Sequence, residues 1–427
     1  MSLHAVSDEG VPVEPGLLRR PAFRRLWFSG ALESVGDEAS RTLVPVIAVS
    51  MLGAGAFDVG VINALGLSAF LIIGLPVGVW VDRMRKRRVM IAADLCRAIT
   101  IASLPVAYLC GFLTMWHVFA AVTLVSIADV FFTTAHSTYL PSIVTGDELD
   151  EANARLQSAQ TTVTVGTPAL SGALLRLVAA PLALFTASVS YLVSALLIGR
   201  IPHREPPPSN GSRQDFWASA RLGISFTVRH PHLRPLFLSS MMTNTAAMFG
   251  NTASAVYALS VLEIGPGLYA ALGTFSALGG LAGSLTAVPV LRRLGIGRTK
   301  IFACLISLPV IGLLPLAPVL PLHPAVWFAL SGFGWAGLIV MSTVAGSGIT
   351  PRVAPSAMLG SVTASNRLFV LGIMPIASLA GGALAAWVGV VPVLWAWAAI
   401  AAAASLPICF SPLRTWKRFP DELDVNR

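Results

Sequence analysis

The first long apolar stretch of this chain contains four ionisable side chains, Glu33, Asp37, Glu38 and Arg41. Glu33, Asp37 and Arg41 are spaced four residues apart, so they share one face if the stretch is helical. Arg41 can neutralise only one carboxylate well, and we expect its partner to be Asp37, one turn away. Glu33 or Glu38 is then left without a cation.

A carboxylate in a poorly hydrated position needs a functional or structural reason, because burying its charge is costly. An unpaired one can bind and release a proton as its surroundings change. Asp37 and Glu33 are therefore the leading candidates for ion coupling or substrate contact, with Glu38 and Arg41 beside them. The alternative is a static ion network that holds this helix to its neighbours.

Other apolar stretches contain isolated charges. Asp129 has no charge on its own helical face, so it needs a cross-helix partner or a proton. Arg367 could attract an anionic substrate or pair with an acid from elsewhere in the chain. Asp94 and Arg97 stand at i and i+3 and can pair with each other, which favours a secondary, structural ion network. His136 could relay a proton or simply be hydrogen-bonded.

The composition indicates which elements must position these residues. Of the 427 residues, 55% are hydrophobic and only 11% are charged, which is too apolar for a soluble protein. A helix needs about 20 apolar residues to cross a bilayer. Segmenting at polar breaks predicts an all-α membrane protein with twelve spans, near residues 24–51, 58–81, 89–111, 117–140, 153–178, 182–200, 234–262, 268–291, 299–319, 324–347, 358–386 and 390–411.

The basic residues orient these spans. All but four of the 29 Lys and Arg fall on the face that twelve spans assign to both termini, and the exceptions are Arg41, Arg97, Arg176 and Arg367. This positive-inside pattern predicts cytoplasmic termini and a multi-pass protein of the cell membrane, typical of a bacterial plasma membrane. The net charge of +9 therefore reflects topology, and no nucleic-acid partner is expected.

An internal repeat divides the chain. At an offset of 210 residues, Phe23 to Ser29 aligns with Leu233 to Ser239, and Pro141 aligns with Pro351. Two parallel six-helix halves are expected. The predicted division is a cytoplasmic segment at 1–22, a first bundle at 23–200, a linker with an amphipathic helix at 201–232, a second bundle at 233–411 and a cytoplasmic tail at 412–427.

The loop between the second and third spans contains Gly78, Asp82, Arg83 and Arg87 in the pattern Gly-x-x-x-Asp-Arg-x-x-x-Arg-Arg. This loop resembles the signature of the major facilitator superfamily, and the stretches Pro141 to Gly172 and Arg352 to Gly382 are similar to its enterobactin-exporter and macrolide-efflux branch. The resemblance implies two bundles around a cavity that opens alternately to either side. It also implies that Asp82, with Gly78, Arg83 and Arg87, latches the state closed to the cytoplasm.

The fifth span carries Gly166-Thr167-Pro168-x-x-x-Gly172, which is similar to a glycine-proline signature of exporters in that superfamily. A simple packing kink is the alternative. Together these features favour a proton-coupled exporter of amphiphilic small molecules of the drug, macrolide or siderophore type. A lipid or lysolipid transporter of the same fold is the second hypothesis. A non-transporting receptor is the third, but it would be expected to carry a sizeable soluble output domain.

No nucleophile with its base, phosphate-binding glycine loop or metal-ligand spacing stands out in the sequence. We therefore expect no enzymatic activity, no catalytic residue, no cofactor and no metal site. The expected partners are the small-molecule substrate, protons and membrane lipids, and the expected state is a monomer.

Overall fold

The computed structural model describes residues 17–144, 148–202, 216–355 and 358–416, and within these ranges the chain is helical with no strand. The first half contains α1 (Pro21–Leu52), α2 (Ala56–Asp82), α3 (Lys86–Leu109), α4 (Met115–Ile143), α5 (Leu149–Leu174) and α6 (Ala180–Gly199). The connecting helix is α7 (Phe216–Arg229). The second half contains α8 (Leu233–Val256), α9 (Pro266–Leu294), α10 (Ile296–Leu316), α11 (Pro324–Ser347), α12 (Thr350–Val353), α13 (Leu359–Val388), α14 (Val390–Ala403) and α15 (Leu406–Cys409).

The long helices coincide with the predicted spans, which confirms the all-α membrane fold. Nine of the described helices are long and apolar enough to cross a membrane. The long described helices outside that set are α1, α5 and α8, and all three are polar. The helix α1 carries the charges discussed above, α5 begins with Asp150 and Glu151, and α8 is rich in Ser, Thr and Asn. Their polarity is consistent with helices that face other helices and a cavity rather than lipid.

Two predicted spans consist of more than one helical piece. The seventh is α8 followed by a π-helical turn at Tyr257–Val261, and the twelfth is α14 followed by α15. The predicted amphipathic linker helix corresponds to α7, where Phe226 packs against the core of the second half. Most of the predicted terminal segments (1–16 and 417–427) and part of the linker (203–215) lie outside the described residues.

Glycines bring the two halves into backbone contact at one end of the molecule. We call the end with the Arg83 to Arg85 loop the basic side, and the other end the opposite side. Near the opposite side, a Cβ placed on Gly172 of α5 would lie 2.6 Å from the carbonyl oxygen of Gly267, just after the start of α9. Likewise, a Cβ on Gly60 of α2 would lie 2.7 Å from the carbonyl oxygen of Ser378 in α13. Such distances are possible only because both positions lack a side chain.

The hydrophobic cores show where the halves separate. One cluster joins both halves near the opposite side, and it includes Leu43 and Val59 from the first half with Ala253 and Trp397 from the second. Toward the basic side, the described core of the first half and that of the second form separate clusters. Among the described residues, the molecule is therefore closed at the opposite side, and the buried cores of its halves are separate toward the basic side.

Replacing Gly172 with Ala should disturb this closed end, because the new methyl group forces α5 away from α9. We expect spin labels at the exposed positions 177 and 261, one in each half, to move apart in double electron–electron resonance measurements. Gly166→Ala on the same helix is the matched control, since a Cβ there meets no atom within 4 Å. An unchanged distance distribution in the Gly172→Ala variant would contradict this view of the closure.

Candidate functional site

The site is built on α1, and a glycine determines how closely α6 approaches it. A Cβ on Gly36 would lie 2.7 Å from the ring of Tyr191, so only glycine admits that ring. The close approach lets the Tyr191 hydroxyl donate a hydrogen bond to Oδ1 of Asp37 at 2.6 Å. Asp37 is thereby held in place by a side chain from a different helix.

Arg97 of α3 lies at the centre of four carboxylates. Its Nη1 donates to Glu33 at 3.0 Å, to Asp129 at 2.7 Å and to Asp37 at the longer distance of 3.4 Å. Its Nη2 donates to Asp94 at 2.5 Å. We call these five residues the Arg97 cluster, and together they connect α1, α3 and α4.

The guanidinium of Arg97 is also fixed by aromatic rings. It lies 4.4 Å from the ring centroid of Phe132 and 4.6 Å from that of Tyr191. Both distances are within the range of cation–π attraction. The side chain of Arg97 is completely buried, so its charge is compensated by the cluster and not by bulk water.

Several expectations from the sequence are changed by this geometry. Arg41 forms no ion pair with Asp37. Arg97 pairs with Asp37 instead and takes the role that the sequence had assigned to Arg41. The reason is that Arg41 extends into open space in the cavity described below, whereas Arg97 is held among the acids by aromatic packing. Asp129 does have the cross-helix partner that its isolation required. Asp94 and Arg97 pair as expected, but they belong to the main cluster and not to a secondary network.

A cavity of about 650 Å³ lies beside the cluster, between the two halves. Its described charged lining residues, Asp37, Glu38, Arg41 and Asp129, come from the first half. Neither Glu38 nor Arg41 forms an ion pair with another described residue. The second half supplies a wall of mostly apolar residues in which Asn251, Ser254 and Ser276 are polar. Its aromatic residues are Tyr269, Phe328, Trp335 and Trp397, and its methionines are Met248 and Met374.

Carboxylate oxygens of Glu33, Asp37 and Asp129 come within 4.8 Å of one another, a spacing that could hold a metal ion. However, Nη1 of Arg97 donates to all three carboxylates and therefore already supplies the positive charge among them. A metal ion would have to displace a buried guanidinium that two aromatic rings hold in place. The donor set of these three residues thus suits an internal cation better than a metal.

The residues expected to form a latch lie on the basic side, away from the cavity. Asp82 and Arg83 are exposed, and Asp82 forms no ion pair with a described residue. Arg87 instead donates to the carbonyl oxygens of Ile198, at 3.0 Å, and Gly199 at the end of α6. Gly78 has open space around it. The latch is a prediction for a state closed on the basic side, and it stays a prediction.

Arg367 belongs to α13, but its side chain lies outside the described part of the structure. Its expected contact with substrate or with an acid therefore stays a prediction. The aromatic wall of the second half was not anticipated. The available signal was the presence of Trp335 and Trp397 within otherwise apolar stretches, far from the ends where interfacial tryptophans are usual.

Comparison with known proteins identifies this architecture. The family model described as Major Facilitator Superfamily matches residues 26–374. The chain belongs to the Major Facilitator Superfamily. It is accordingly a multi-pass membrane protein with the fold of a secondary transporter, as the loop around Asp82 suggested.

Among related proteins of the superfamily is YvqJ of Bacillus subtilis (strain 168), described as an uncharacterized MFS-type transporter. The two are 25% identical over 272 residues, and the match covers 62% of this chain and 64% of that protein. The chain thus matches less than two thirds of this relative's length.

Solved structures of the superfamily share the fold at low sequence identity. A mutant form of the nucleoside transporter NupG has a TM-score of 0.75 at 13% identity, over 91% of this chain and 99% of that one. A bacterial homologue of the iron transporter ferroportin in an inward-facing state has a TM-score of 0.72 at 17% identity, over 92% and 99%. A POT family transporter in complex with 5-aminolevulinic acid has a TM-score of 0.70 at 14% identity, over 92% and 96%.

Replacing Arg97 with Gln should destabilise the protein strongly, because the buried carboxylates of Glu33 and Asp94 and two partly exposed carboxylates lose their common cation. Loss of one partner from a buried ion pair typically costs about 3–5 kcal/mol. The loss of stability should shrink as the pH falls. Protons then bind the carboxylates in place of the missing cation and stabilise the folded state. Thermal unfolding in detergent across a pH series would measure both effects.

Arg41→Gln is the matched control, since Arg41 lies in the cavity without an ion pair to a described residue. We expect a much smaller change in its unfolding temperature. An equal loss in the two variants, or a loss in Arg97→Gln that does not depend on pH, would contradict the central role of Arg97.

Proposed function

We propose that this transporter is a proton-coupled exporter of amphiphilic small molecules that works by alternating access. The observation that carries the proposal is the Arg97 cluster beside a cavity with one charged and one aromatic wall. In this proposal the basic side is cytoplasmic, both termini lie there, and the membrane is a bacterial plasma membrane.

The charge balance of the cluster supports proton binding. Four carboxylates surround one guanidinium, so full ionisation would leave three uncompensated negative charges in a poorly hydrated place. Such an excess is expensive, and the simplest compensation is protonation of one or more carboxylates. Asp37 and Glu33 are the leading proton carriers in this proposal, because their contacts with Arg97, at 3.4 Å and 3.0 Å, are the two longest of the four and the cation stabilises their charged forms least.

Coupling follows from the position of the cluster. Asp37 and Asp129 belong to the cluster and also line the cavity, so their charge is felt by a bound substrate. A change in hydration as the cavity closes on one side and opens on the other would change how tightly the cluster holds its protons. Substrate and protons would then move in opposite directions through the same transporter.

The chemistry of the cavity supports an amphiphilic cargo. A molecule between the halves would meet Glu38 and Arg41 on one side and Trp335 and Trp397 on the other. Polar groups of the cargo would face the former and its apolar surface the latter. Drugs, macrolides and siderophores meet this description, in keeping with the similarity to the enterobactin-exporter and macrolide-efflux branch.

Outward transport is supported by the glycine-proline segment of α5, because this segment is similar to a signature of exporters in the superfamily. Pro168 packs near Gly273, and Gly172 packs on Gly267 and Ala271, so this segment lies where the two halves meet near the opposite side.

Asp82 would dock across the halves when the basic side closes, with Arg83 and Arg87 completing the latch. The transporter would act as a monomer, with substrate, protons and lipids as its partners and no nucleic acid.

The proton requirement can be tested with everted membrane vesicles and a panel of fluorescent or radiolabelled amphiphiles. We expect uptake of at least one compound in the presence of a pH gradient, and loss of that uptake when an ionophore collapses the gradient. Uptake that ignores the gradient would overturn proton coupling. Flipping of labelled lipids in liposomes, without amphiphile uptake, would favour a lipid or lysolipid transporter.

The role of the first helix can be tested in the same vesicles with Asp37→Asn. We expect transport to fall at least about tenfold, equivalent to ~1.4 kcal/mol, because Asp37 faces both the cavity and Arg97. Arg85→Gln, at an exposed position on the basic side, is the comparison variant and should change transport less. Equal effects would contradict the assignment of Asp37 to the transport site.

A further inference from the structure

One histidine lies between the Arg97 cluster and the basic side. His136 of α4 has a buried Nε2 that forms no hydrogen bond with any described residue. This nitrogen faces α1, where a Cβ placed on Gly30 would lie 3.8 Å from it. The ring stacks on Phe132 with centroids 5.9 Å apart, and Phe132 in turn contacts the guanidinium of Arg97.

The register of two antiparallel helices aligns this histidine with the cluster. His136 follows Asp129 by seven residues in α4, and Gly30 precedes Asp37 by seven residues in α1. Seven residues are close to two helical turns, so His136 lies on the face of Asp129, and Gly30 on the face of Asp37. His136 and Gly30 therefore meet on the faces of α4 and α1 that carry Asp129 and Asp37. Their contact lies about 10 Å nearer to the basic side than those two carboxylates.

The open conformation gives this position access to the basic side. The separate cores of the two halves show that the halves diverge there, and the residue His136 is partly exposed although its Nε2 is buried. Nδ1 does not share the enclosure of Nε2. The two ring nitrogens thus have different surroundings, one enclosed against α1 and the other outside that enclosure.

Phe132 separates the His136 ring from Arg97, so a direct line between them is blocked. Along α1, Gly30 contributes no side chain, and Leu156 of α5 packs beside it. Glu33 follows Gly30 by three residues, about 5 Å further along the helix axis, and is the first carboxylate of the cluster on this route.

The charged groups on the surrounding helices set the electrostatic environment of His136. Toward the cluster these are Glu33 and Asp37 on α1, Asp94 and Arg97 on α3 and Asp129 on α4, and on α5 they are Arg155 and its ion-pair partner Glu151.

We propose that His136 relays protons between the basic side and the Arg97 cluster, which rests on the proposed proton coupling. Nδ1 accepts a proton from water on the basic side, and the Nε2–H bond breaks to pass a proton toward the Glu33 carboxylate. The ring ends neutral in the other tautomer, and the reverse transfer or a ring flip restores it. No other reactant is consumed.

The test follows protonation of the cluster and needs no identified substrate. A caged proton is released by a light pulse onto the full-length protein in nanodiscs, and time-resolved infrared spectroscopy records the carbonyl band of newly protonated carboxylic acids. Loss of that band in Glu33→Gln assigns it to the cluster. We expect His136→Gln to slow its appearance at least about tenfold while leaving its final amplitude unchanged.

His117→Gln is the matched control, because His117 lies at the opposite end of the same helix, hydrogen-bonded to Ser103. It should keep the wild-type rate. His136→Ala with added imidazole separates proton transfer from packing: recovery of the rate supports the relay, and a slow rate that imidazole leaves unchanged overturns it.

The two hypotheses fail differently in this experiment. A wild-type band with an unchanged rate in His136→Gln overturns the relay alone. No band in the wild-type protein overturns proton binding by the cluster, and the relay with it.

Discussion

The buried guanidinium of Arg97 is the interaction on which the first half of this transporter depends. It contacts carboxylates from α1, α3 and α4, and Tyr191 extends the same network to α6 through Asp37. Separating a buried charge of this kind from its partners costs a large free energy, so these helices have to move together. Two of these carboxylates, Asp37 and Asp129, also line the cavity, so the network that holds the helices together forms part of the cavity wall.

The second half is assembled by a different physical principle. Its closest described contacts between α9 and α11 are backbone against backbone, where a Cβ on Gly279 would clash with the carbonyl oxygen of Phe333. Its wall of the cavity is aromatic and apolar. Lys300 is an exception, since it is buried and donates to Ser342. Among the described residues, the first half thus supplies the charged side chains of the cavity, and the second half supplies most of its aromatic surface.

The conformation explains why some predicted contacts do not occur. The halves meet near the opposite side through Gly60 and Gly172, and they diverge where Asp82 lies. An acid that docks across the halves on the basic side can find its partner only when that side closes. The exposed position of Asp82 is the expected one for a molecule open toward the basic side, whatever its role in the other state.

The sequence by itself determined the membrane class, the positions of the long helices, the two halves and the residues that carry charge into the bilayer. These properties follow from hydrophobicity and periodicity along the chain, which are local. Only the tertiary structure decided which charges meet. Arg41 and Arg97 are both cations within apolar stretches, and sequence spacing favoured Arg41 as the partner of Asp37. The approach of α3, α4 and α6 to α1 selected Arg97 instead, because pairing inside a bundle depends on distances between helices, and no spacing within one helix specifies those distances.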